Sequence, residues 1–304
     1  MAVLSDKPGI SKYRAIILAG CDRNYFDLIS DMLLSVDPHR RARGIDIGII
    51  DYGLTADQVR SLHVYASRII KPTWRLEIAR DQDPTSGIWA SHLFLPVEFP
   101  GYDVYFWIDP DAWLQVPGTL DVFIEGAGAH GAAVVAEHHP SYRFQPRLQF
   151  RNIKNFVRGY GLRDGLWLQM QPHINMGVFA LRGDAPHWKK WRERLVAAAR
   201  RTGRIYPNDQ FAFNQIVHQD KTPTLILPPE LNWIPDRGPP AWDPAARLFV
   251  TPDKSRQPLG IIHLAGQGAK RRKYRIPVVG GGTMSTELRY SRVRSLYDPA
   301  LEPT

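Results

Sequence analysis

The segment FWIDPDAWL, residues 106–114, places two carboxylates, Asp109 and Asp111, one residue apart directly after a run of large apolar side chains. The imidazole of His263 follows another apolar run, GII, much later in the chain. Two carboxylates and one imidazole form a ligand set suited to Mn²⁺ or Mg²⁺, with phosphate oxygens completing the octahedron. Each piece also has a plain structural explanation, because Asp-Pro-Asp is a common type I turn and a lone histidine is more often a satisfied residue at a core edge.

The elements that must position these residues alternate between short apolar runs, which predict strands, and amphipathic segments, which predict helices. This alternation predicts an α/β fold with a mostly parallel central sheet and flanking helices. Ligands bind outside the carboxyl ends of the strands in such sheets, and Asp109, Asp111 and His263 each lie at the end of a predicted strand. The predicted strands cover residues 15–19, 45–50, 67–71, 104–108, 132–136, 174–181, 224–227 and 260–264.

The clearest helical pattern covers residues 186–200, where Trp188 and Trp191 share one apolar face. Asp209 and Gln210 open a further predicted helix, and an aspartate is stabilised at a helix N-terminus by the helix dipole. That helix is predicted over 207–219, and other helices are predicted over 25–36, after a candidate N-cap at residue 55 and within 87–97.

The composition is that of an ordinary globular protein. The 304 residues are 44% hydrophobic and 23% charged, and no apolar run approaches the roughly 20 residues that span a bilayer. The N-terminus lacks the order of a signal peptide, and the only cysteine, Cys21, excludes an internal disulfide, so we expect a cytoplasmic protein. Gly-rich phosphate loops and the HExxH, CxxC and GxSxG motifs are absent from the sequence.

The net charge of +9 would attract anionic partners, but no nucleic-acid-binding module is recognisable, so nucleic acid is not the expected partner. Much of the charge lies in residues 266–304, which hold eight Lys or Arg against three Asp or Glu. We expect a catalytic domain over 1–265 and a basic C-terminal tail over 266–304, either solvated and partly disordered or a tether to an anionic membrane surface at the inner membrane face.

Residues 138–173, with six Lys or Arg against one Asp and weak periodicity, predict a basic insertion.

Five segments, in this order along the chain, resemble a known family. They are LAGCDRNYFDLISDML, YDVYFWIDPDAWLQ, INMGVFALR, NDQFAFN and IIHLAGQGAK, and they span most of residues 15–270. In type and order they resemble the GT-A fold glycosyltransferases, and most closely glycosyltransferase family 8, which includes glycogenin and bacterial lipopolysaccharide galactosyl- and glucosyltransferases. The resemblance implies a Rossmann-like nucleotide-diphospho-sugar transferase fold and the transfer of a hexosyl unit from a UDP-sugar in polysaccharide or lipopolysaccharide biosynthesis.

The resemblance also implies how the donor is held. Asp109 and Asp111 would bind Mn²⁺ (or Mg²⁺) with His263 as the third protein ligand, and the ion would bridge the two phosphates of the nucleotide sugar. Lys270 would reach a phosphate from the closing motif, which also contains Gly266.

The first matched segment would hold the nucleoside. Tyr25 would stack on the uracil, Asn24 and Asp22 would lie near the base or the ribose, and Ala19 belongs to the same implied nucleotide site. Family members carry an acidic residue in this loop, and its counterpart here is displaced by one extra residue between Ala19 and Asn24.

The sugar would lie against the third and fourth segments. Asn175 would touch the sugar or the acceptor, and Gly177 would leave room for it. Asp209 and Gln210 would lie beneath the anomeric carbon in a reaction that retains configuration, as a nucleophile or as stabilisers of positive charge on the sugar ring. An oxocarbenium-like centre does need an anion or an amide oxygen nearby.

The basic segments favour an anionic or lipid-linked glycan as the acceptor. Two alternatives stay open at the level of sequence. One is a GT-A fold nucleotidyltransferase, which would carry a Gly-rich loop after the first strand, where LAGCDRNY lacks the glycines. The other is a non-catalytic module that binds glycan or nucleic acid through its basic tail.

Overall fold

The chain is built around one seven-stranded sheet. The computed structural model describes residues 11–73, 75–76, 90–266 and 268–297. The main sheet contains β1 Ala15–Cys21, β2 Asp46–Asp51, β3 Arg68–Ile70, β4 Val104–Ile108, β6 Ala132–Ala136, β7 Ile174–Arg182 and β8 Leu225–Leu227, and shorter strands are β5 Ala112–Leu114, β9 Ala241–Asp243, β10 Leu248–Val250, β11 Ile261–His263, β12 Lys273–Pro277 and β13 Thr283–Glu287.

The strand order in the main sheet is β3-β2-β1-β4-β7-β6-β8. The pairs β1/β2, β1/β4, β2/β3 and β6/β8 are parallel, which confirms the predicted α/β class with a mostly parallel sheet. β7 runs antiparallel to both of its neighbours, β4 and β6. The N-terminal end of β7 therefore lies at the same edge of the sheet as the carboxyl end of β4.

Helices cover both faces of this sheet because side chains alternate along each strand. Ile17 of β1 belongs to a core that includes Ile29 and Phe123, whereas its neighbour Ile16 belongs to the opposite core with Trp191 and Phe213. The helices are α1 Phe26–Arg41, α2 Ala56–Leu62, α3 Leu95–Glu98, α4 Gly118–His130, α5 Pro146–Tyr160, α6 Leu162–Gln169, α7 His187–Thr202, α8 Asn208–His218 and α9 Tyr290–Tyr297.

Most predicted helices are present with shifted ends. Thr55 caps α2 as expected, with its side chain accepting from the Gln58 N–H. Part of the helix predicted within 87–97 lies outside the described residues; the described part contains a 3-10 turn at His92–Phe94 and the short α3. None of the helices in the described part of the chain has the length and apolar character that a transmembrane span requires.

The basic C-terminal segment is folded over residues 268–297. β12 and β13 form a hairpin, and Tyr274, Ile276 and Val293 are buried in a cluster with Trp113. The Trp113 indole N–H also donates to the Leu288 carbonyl at 2.7 Å. The expectation of a solvated, partly disordered end is therefore wrong for this stretch, because its alternate apolar side chains complete a core. The domain boundary drawn at residue 265 stays a prediction.

The basic segment 138–173 contains two packed helices, α5 and α6, despite its weak sequence periodicity. Phe156 of α5 and Leu168 of α6 are buried against Phe211 of α8. Their outer faces carry exposed side chains, as the burial pattern of both helices shows.

Candidate active site

The Asp-Pro-Asp segment forms a turn at the carboxyl end of β4. The Ala112 N–H donates to the Asp109 carbonyl at 3.0 Å, as in a β-turn, and the Asp109 N–H donates to the Gly177 carbonyl of β7 at 2.7 Å. The turn thus ends the buried strand and presents both carboxylates at the sheet edge. The structural and the chemical interpretations of this sequence are compatible.

His263 reaches the same edge through a separate strand pair. β11 pairs antiparallel with β5, which places His263 opposite Ala112, and the Leu264 N–H donates to the Asp111 carbonyl at 2.8 Å. His263 Nε2 lies 3.7 Å from Asp109 Oδ2 and 3.4 Å from Asp111 Oδ1. The three residues each offer a ligand atom within 4.8 Å of the others. Neighbouring ligands of one octahedral ion lie about 3 Å apart, so this donor set fits a small divalent ion.

The surroundings orient these donors toward a common point. The other ring nitrogen of His263, Nδ1, lies 3.1 Å from Asn232 Oδ1, and this contact leaves Nε2 facing the carboxylates. The Trp107 indole N–H donates to Asp109 Oδ1 at 2.7 Å, which leaves Oδ2 toward His263. A Cβ atom at position 177 would overlap the His263 ring and the Asp109 carboxylate, so only glycine fits there.

The ionisable groups of the cluster shift one another's pKa values. Burial, and then the charge of Asp111, raise the pKa of Asp109 to about 7. Burial opposes the charge of Asp111 as well, but its contacts with His263 and Lys270 hold the pKa of that carboxyl well below its usual range. Lys270 Nζ lies 2.5 Å from Asp111 Oδ2 and donates to the Gly266 carbonyl at 3.2 Å. A cation from the closing motif is therefore already present beside the carboxylates.

The segment expected to hold the nucleoside lies next to this lysine. Lys270 Nζ is 5.3 Å from the centroid of the Tyr25 ring. Asp22 accepts from the backbone N–H groups of Asn24 and Tyr25 at 2.9 and 3.1 Å and caps the turn that precedes α1. Ala19 lies inside β1 and its side chain is fully buried in the core, so packing accounts for it and its nucleotide contact stays a prediction.

A chain of buried polar contacts leads from His263 toward the fourth matched segment. The Asn232 amide donates to Asn175 Oδ1 at 3.1 Å, and the Asn175 amide donates to Glu137 Oε1 at 2.7 Å. Glu137 Oε2 lies 3.9 Å from His173 Nδ1, which in turn lies 3.4 Å from Gln210 Nε2. The structure therefore connects Asn175 and Gln210 with the Asp-Asp-His cluster through residues that were not predicted.

Glu137 carries the charge in the middle of this chain. Its side chain is 5% exposed and forms an ion pair with Arg237. Burial opposes the charge, but Arg237 and then His173 hold the pKa of Glu137 below its usual value. A buried carboxylate that stays ionised can hold the Asn175 amide in one orientation.

Asp209 differs from Glu137, because its carboxyl forms no ion pair among the described residues. The residue is 4% exposed, and its Oδ1 has no hydrogen-bond partner among the described residues. Burial raises the pKa of Asp209 to about 7, and the charge of Asp109 adds to the shift. The Trp191 indole N–H fixes the backbone by donating to the Asp209 carbonyl at 2.7 Å. Burying an unsatisfied carboxyl costs free energy, and such groups cluster at functional sites.

The sequence offered little signal for the residues that were missed: Glu137, Asn232 and Arg237. Glu137 and Arg237 lie in connections, Asn232 ends the 3-10 helix Pro229–Asn232, and no local motif marks any of the three. The position of Glu137 directly after a predicted strand, like that of Asp109, was the available clue.

The sheet order, the helices on both faces and the acidic cluster at the carboxyl edge define a GT-A fold. Solved glycosyltransferases have the same architecture. The galactosyltransferase LgtC, in complex with donor and acceptor sugar analogues, matches with a TM-score of 0.52 at 14% identity over 84% of this chain and 89% of its own. An active-site mutant of LgtC matches with a TM-score of 0.51 at 13% identity, over 83% of this chain and 88% of its own.

The bifunctional glycosyltransferase WbbM, in its apo form, matches with a TM-score of 0.52 at 15% identity over 86% of this chain. This chain spans 47% of the WbbM chain, so it corresponds to about half of that protein. No protein-family model matches the sequence. A search of curated proteins gave no significant match either. At these identities the similarity defines the fold.

Proposed function

We propose that this chain is a metal-dependent glycosyltransferase that moves a hexosyl unit from a UDP-sugar to a glycan or lipid-linked acceptor, with retention of configuration. The observation that carries the proposal is the cluster of Asp109, Asp111 and His263 at the carboxyl edge of a GT-A sheet. Ligand sites in open α/β sheets lie at this edge.

The donor diphosphate would lie beside the acidic cluster. Mn²⁺ or Mg²⁺ held by Asp109, Asp111 and His263 would supply positive charge to the departing diphosphate. Lys270 would bind a phosphate oxygen from the other side, exchanging its present contact with Asp111 for one with the substrate. The uracil would stack on Tyr25, whose ring lies beside the lysine. Gly266 provides a carbonyl that orients the lysine.

The sugar would lie between the acidic cluster and α8. The missing side chain at Gly177 makes room for the His263 ring and the Asp109 carboxylate rather than for the sugar itself. Asn175 is held by Glu137 and would donate to a sugar or acceptor hydroxyl. Asp209 would approach the anomeric carbon, where its charge stabilises the positive charge that develops on the ring.

Gln210 supplies an amide at the same end of α8, close to His173. Its carbonyl oxygen is an alternative stabiliser, or nucleophile, at the anomeric carbon. A transfer by retention would leave the product with the donor's configuration, which the anomeric signals of product and donor sugar test directly.

A titration with UDP in the presence and absence of Mn²⁺ tests the proposal. We expect UDP binding that depends on the ion and that is lost in Asp109→Asn and His263→Gln. Asp209→Asn should keep this binding and lose transfer, because it is not placed at the ion. UDP binding that is indifferent to Mn²⁺ would exclude the enzyme as proposed and favour a binding module.

Product analysis separates the remaining alternative. A nucleotidyltransferase would release pyrophosphate from UTP and a sugar phosphate, whereas the proposed enzyme releases UDP from a UDP-sugar. A cytoplasmic location, peripheral at the inner membrane face, belongs to the same proposal.

A further inference from the structure

Residues 144–170 hold a concentration of exposed apolar side chains. Large hydrophobic residues rarely form exposed groups on a monomeric protein unless they contact a partner or a membrane. Six of the eleven large hydrophobic side chains that are exposed among the described residues lie in this stretch, with exposed fractions between 37% and 77%: Phe144, Phe150, Leu162, Leu166, Trp167 and Met170.

The same stretch and the residue before it carry six exposed cations. Five of them lie within residues 144–170 and Arg143 directly precedes it. Their side chains form no ion pair within the described part of the chain, and the five are Arg147, Arg151, Lys154, Arg158 and Arg163. On α5, Arg147, Arg151, Lys154 and Arg158 follow at spacings of four, three and four residues, which places them along one face of the helix. This face is cationic over the full length of α5.

The two helices form a supported platform. Phe156 and Leu168 pack beneath them, so the helices are held from the inside. On α6, Leu162 and Leu166 are one turn apart on the outer side, and Trp167 is next to them. A cationic helix face therefore adjoins an apolar helix face, and nothing in the described part of the chain covers either one.

We propose that the outer faces of α5 and α6, with Phe144 and Met170 beside them, dock this protein on an anionic membrane surface. The apolar side chains would enter the boundary between headgroups and acyl chains, and the cations would contact lipid phosphates. The charge is complementary to an anionic bilayer. Trp167 suits the interface because its indole has both an apolar ring and a polar N–H. A nucleic-acid partner would use the cations but leave the leucines and Met170 without a role.

The cationic face continues toward the candidate active site. Arg158 lines a cavity of about 250 Å³ together with Arg201, Arg204 and Tyr206. Asn208 of the same lining directly precedes Asp209, so the cavity lies next to the N-terminal end of α8. If the chain has the proposed function, a lipid-linked acceptor with an anionic headgroup would pass from the docked surface along this cavity.

Flotation with lipid vesicles tests the docking surface. The full chain is mixed with vesicles of phosphatidylcholine, or of phosphatidylcholine with phosphatidylglycerol, without nucleotide or metal. We expect binding to the anionic vesicles that weakens with salt. The triple variant Arg147→Gln, Arg151→Gln, Lys154→Gln and the triple variant Leu162→Ser, Leu166→Ser, Trp167→Ser should each reduce the partition coefficient at least about tenfold.

Matched controls use exposed residues elsewhere. Val64→Ser with Val97→Ser removes exposed apolar side chains, and Arg271→Gln with Arg272→Gln removes cations from the C-terminal segment. Both controls should bind vesicles as the wild type does. All the substituted positions are at the surface, and circular dichroism checks that each variant is folded.

Three results would overturn the proposal. One is equal binding to neutral and anionic vesicles, and another is loss of binding only in the Arg271 and Arg272 control. The third is dimerisation that disappears in the apolar variant while vesicles are not bound, which would assign the surface to a second copy of this chain. Because the assay needs neither UDP nor a metal, its failure and a failure of UDP binding are distinguishable.

Discussion

Gly177 and His263 are in direct contact, so that the backbone of one strand forms the wall against which the histidine ring lies. A methyl group at Gly177 would displace the ring or the Asp109 carboxylate. We expect Gly177→Ala to weaken the Mn²⁺-dependent binding of UDP about tenfold or more, as for changes that disturb metal ligands. Isothermal titration measures this effect. Gly268→Ala is the control, because a Cβ there meets nothing within 4 Å; equal loss in both variants would contradict the contact.

Asn232 should act on the metal site through His263. Replacing it with alanine removes the acceptor at His263 Nδ1, so the ring loses its fixed orientation and tautomer. We expect Asn232→Ala to lower the ion-dependent affinity for UDP by about 10- to 100-fold. Asn208→Ala also removes a buried amide but one that contacts Thr202 and Arg204, so it should lower stability without this loss of affinity.

Asp111 should matter for stability as well as for turnover. It is 8% exposed and is the counter-charge of both Lys270 and His263. Asp111→Asn would leave Lys270 and His263 without their counter-charge, and we expect a cost of about 3 kcal/mol in the free energy of unfolding together with loss of transfer. Urea denaturation measures the first and UDP release the second. Asp184→Asn, which breaks an exposed pair, should change neither.

Asp209 should make the folded protein less stable as the pH rises. Its pKa is about 7 in the folded chain and about 3.9 in an unfolded one. The contribution is complete below about pH 4 and is lost as the pH rises to about 7, because over this range the carboxyl is ionised in the unfolded chain but stays protonated in the folded one. We expect Asp209→Asn to flatten the fall in unfolding free energy between about pH 5 and pH 8 by an amount on the order of 3 kcal/mol.

Part of this pH dependence will remain in the Asp209→Asn variant. Asp109 also has its pKa raised to about 7, so it titrates in the same window. The comparison is therefore between the slopes of wild type and variant, measured by urea denaturation without metal. An unchanged slope would show that Asp209 is ionised at low cost in the folded chain.

The local pattern of the sequence was sufficient for the seven strands of the main sheet and for the Asp-Asp-His cluster, whereas the short strands β5, β9, β10, β12 and β13 were not predicted. VYFWI predicted β4 with the observed bounds because it is a short run of β-branched and aromatic residues that ends at an Asp-Pro turn. The turn at Asp-Pro-Asp was likewise predicted from its own three residues. The antiparallel insertion of β7 between β4 and β6 could not be predicted, because pairing between distant strands depends on which edges are free.

The chain of buried polar contacts that leads from His263 to Gln210 could not be predicted from the sequence either. Asn232 and Asn175 are 57 residues apart, and asparagines follow no sequence spacing from which such a contact could be predicted. The C-terminal segment is a different case, since the alternation of buried Tyr274 and Ile276 with exposed residues in β12 was visible. Its high positive charge indicates a solvated end, whereas this two-residue period indicates a strand.

The pairing of β5 with β11 has a consequence for how this chain could vary. Because side chains alternate between the two sides of a strand, a shift of one residue in this pairing would turn His263 away and present Ile262 instead. Insertions in the loops of the long span between the two strands leave the histidine in place, whereas a single residue added within either strand removes it. The site is thus tolerant of loop length and intolerant of strand length.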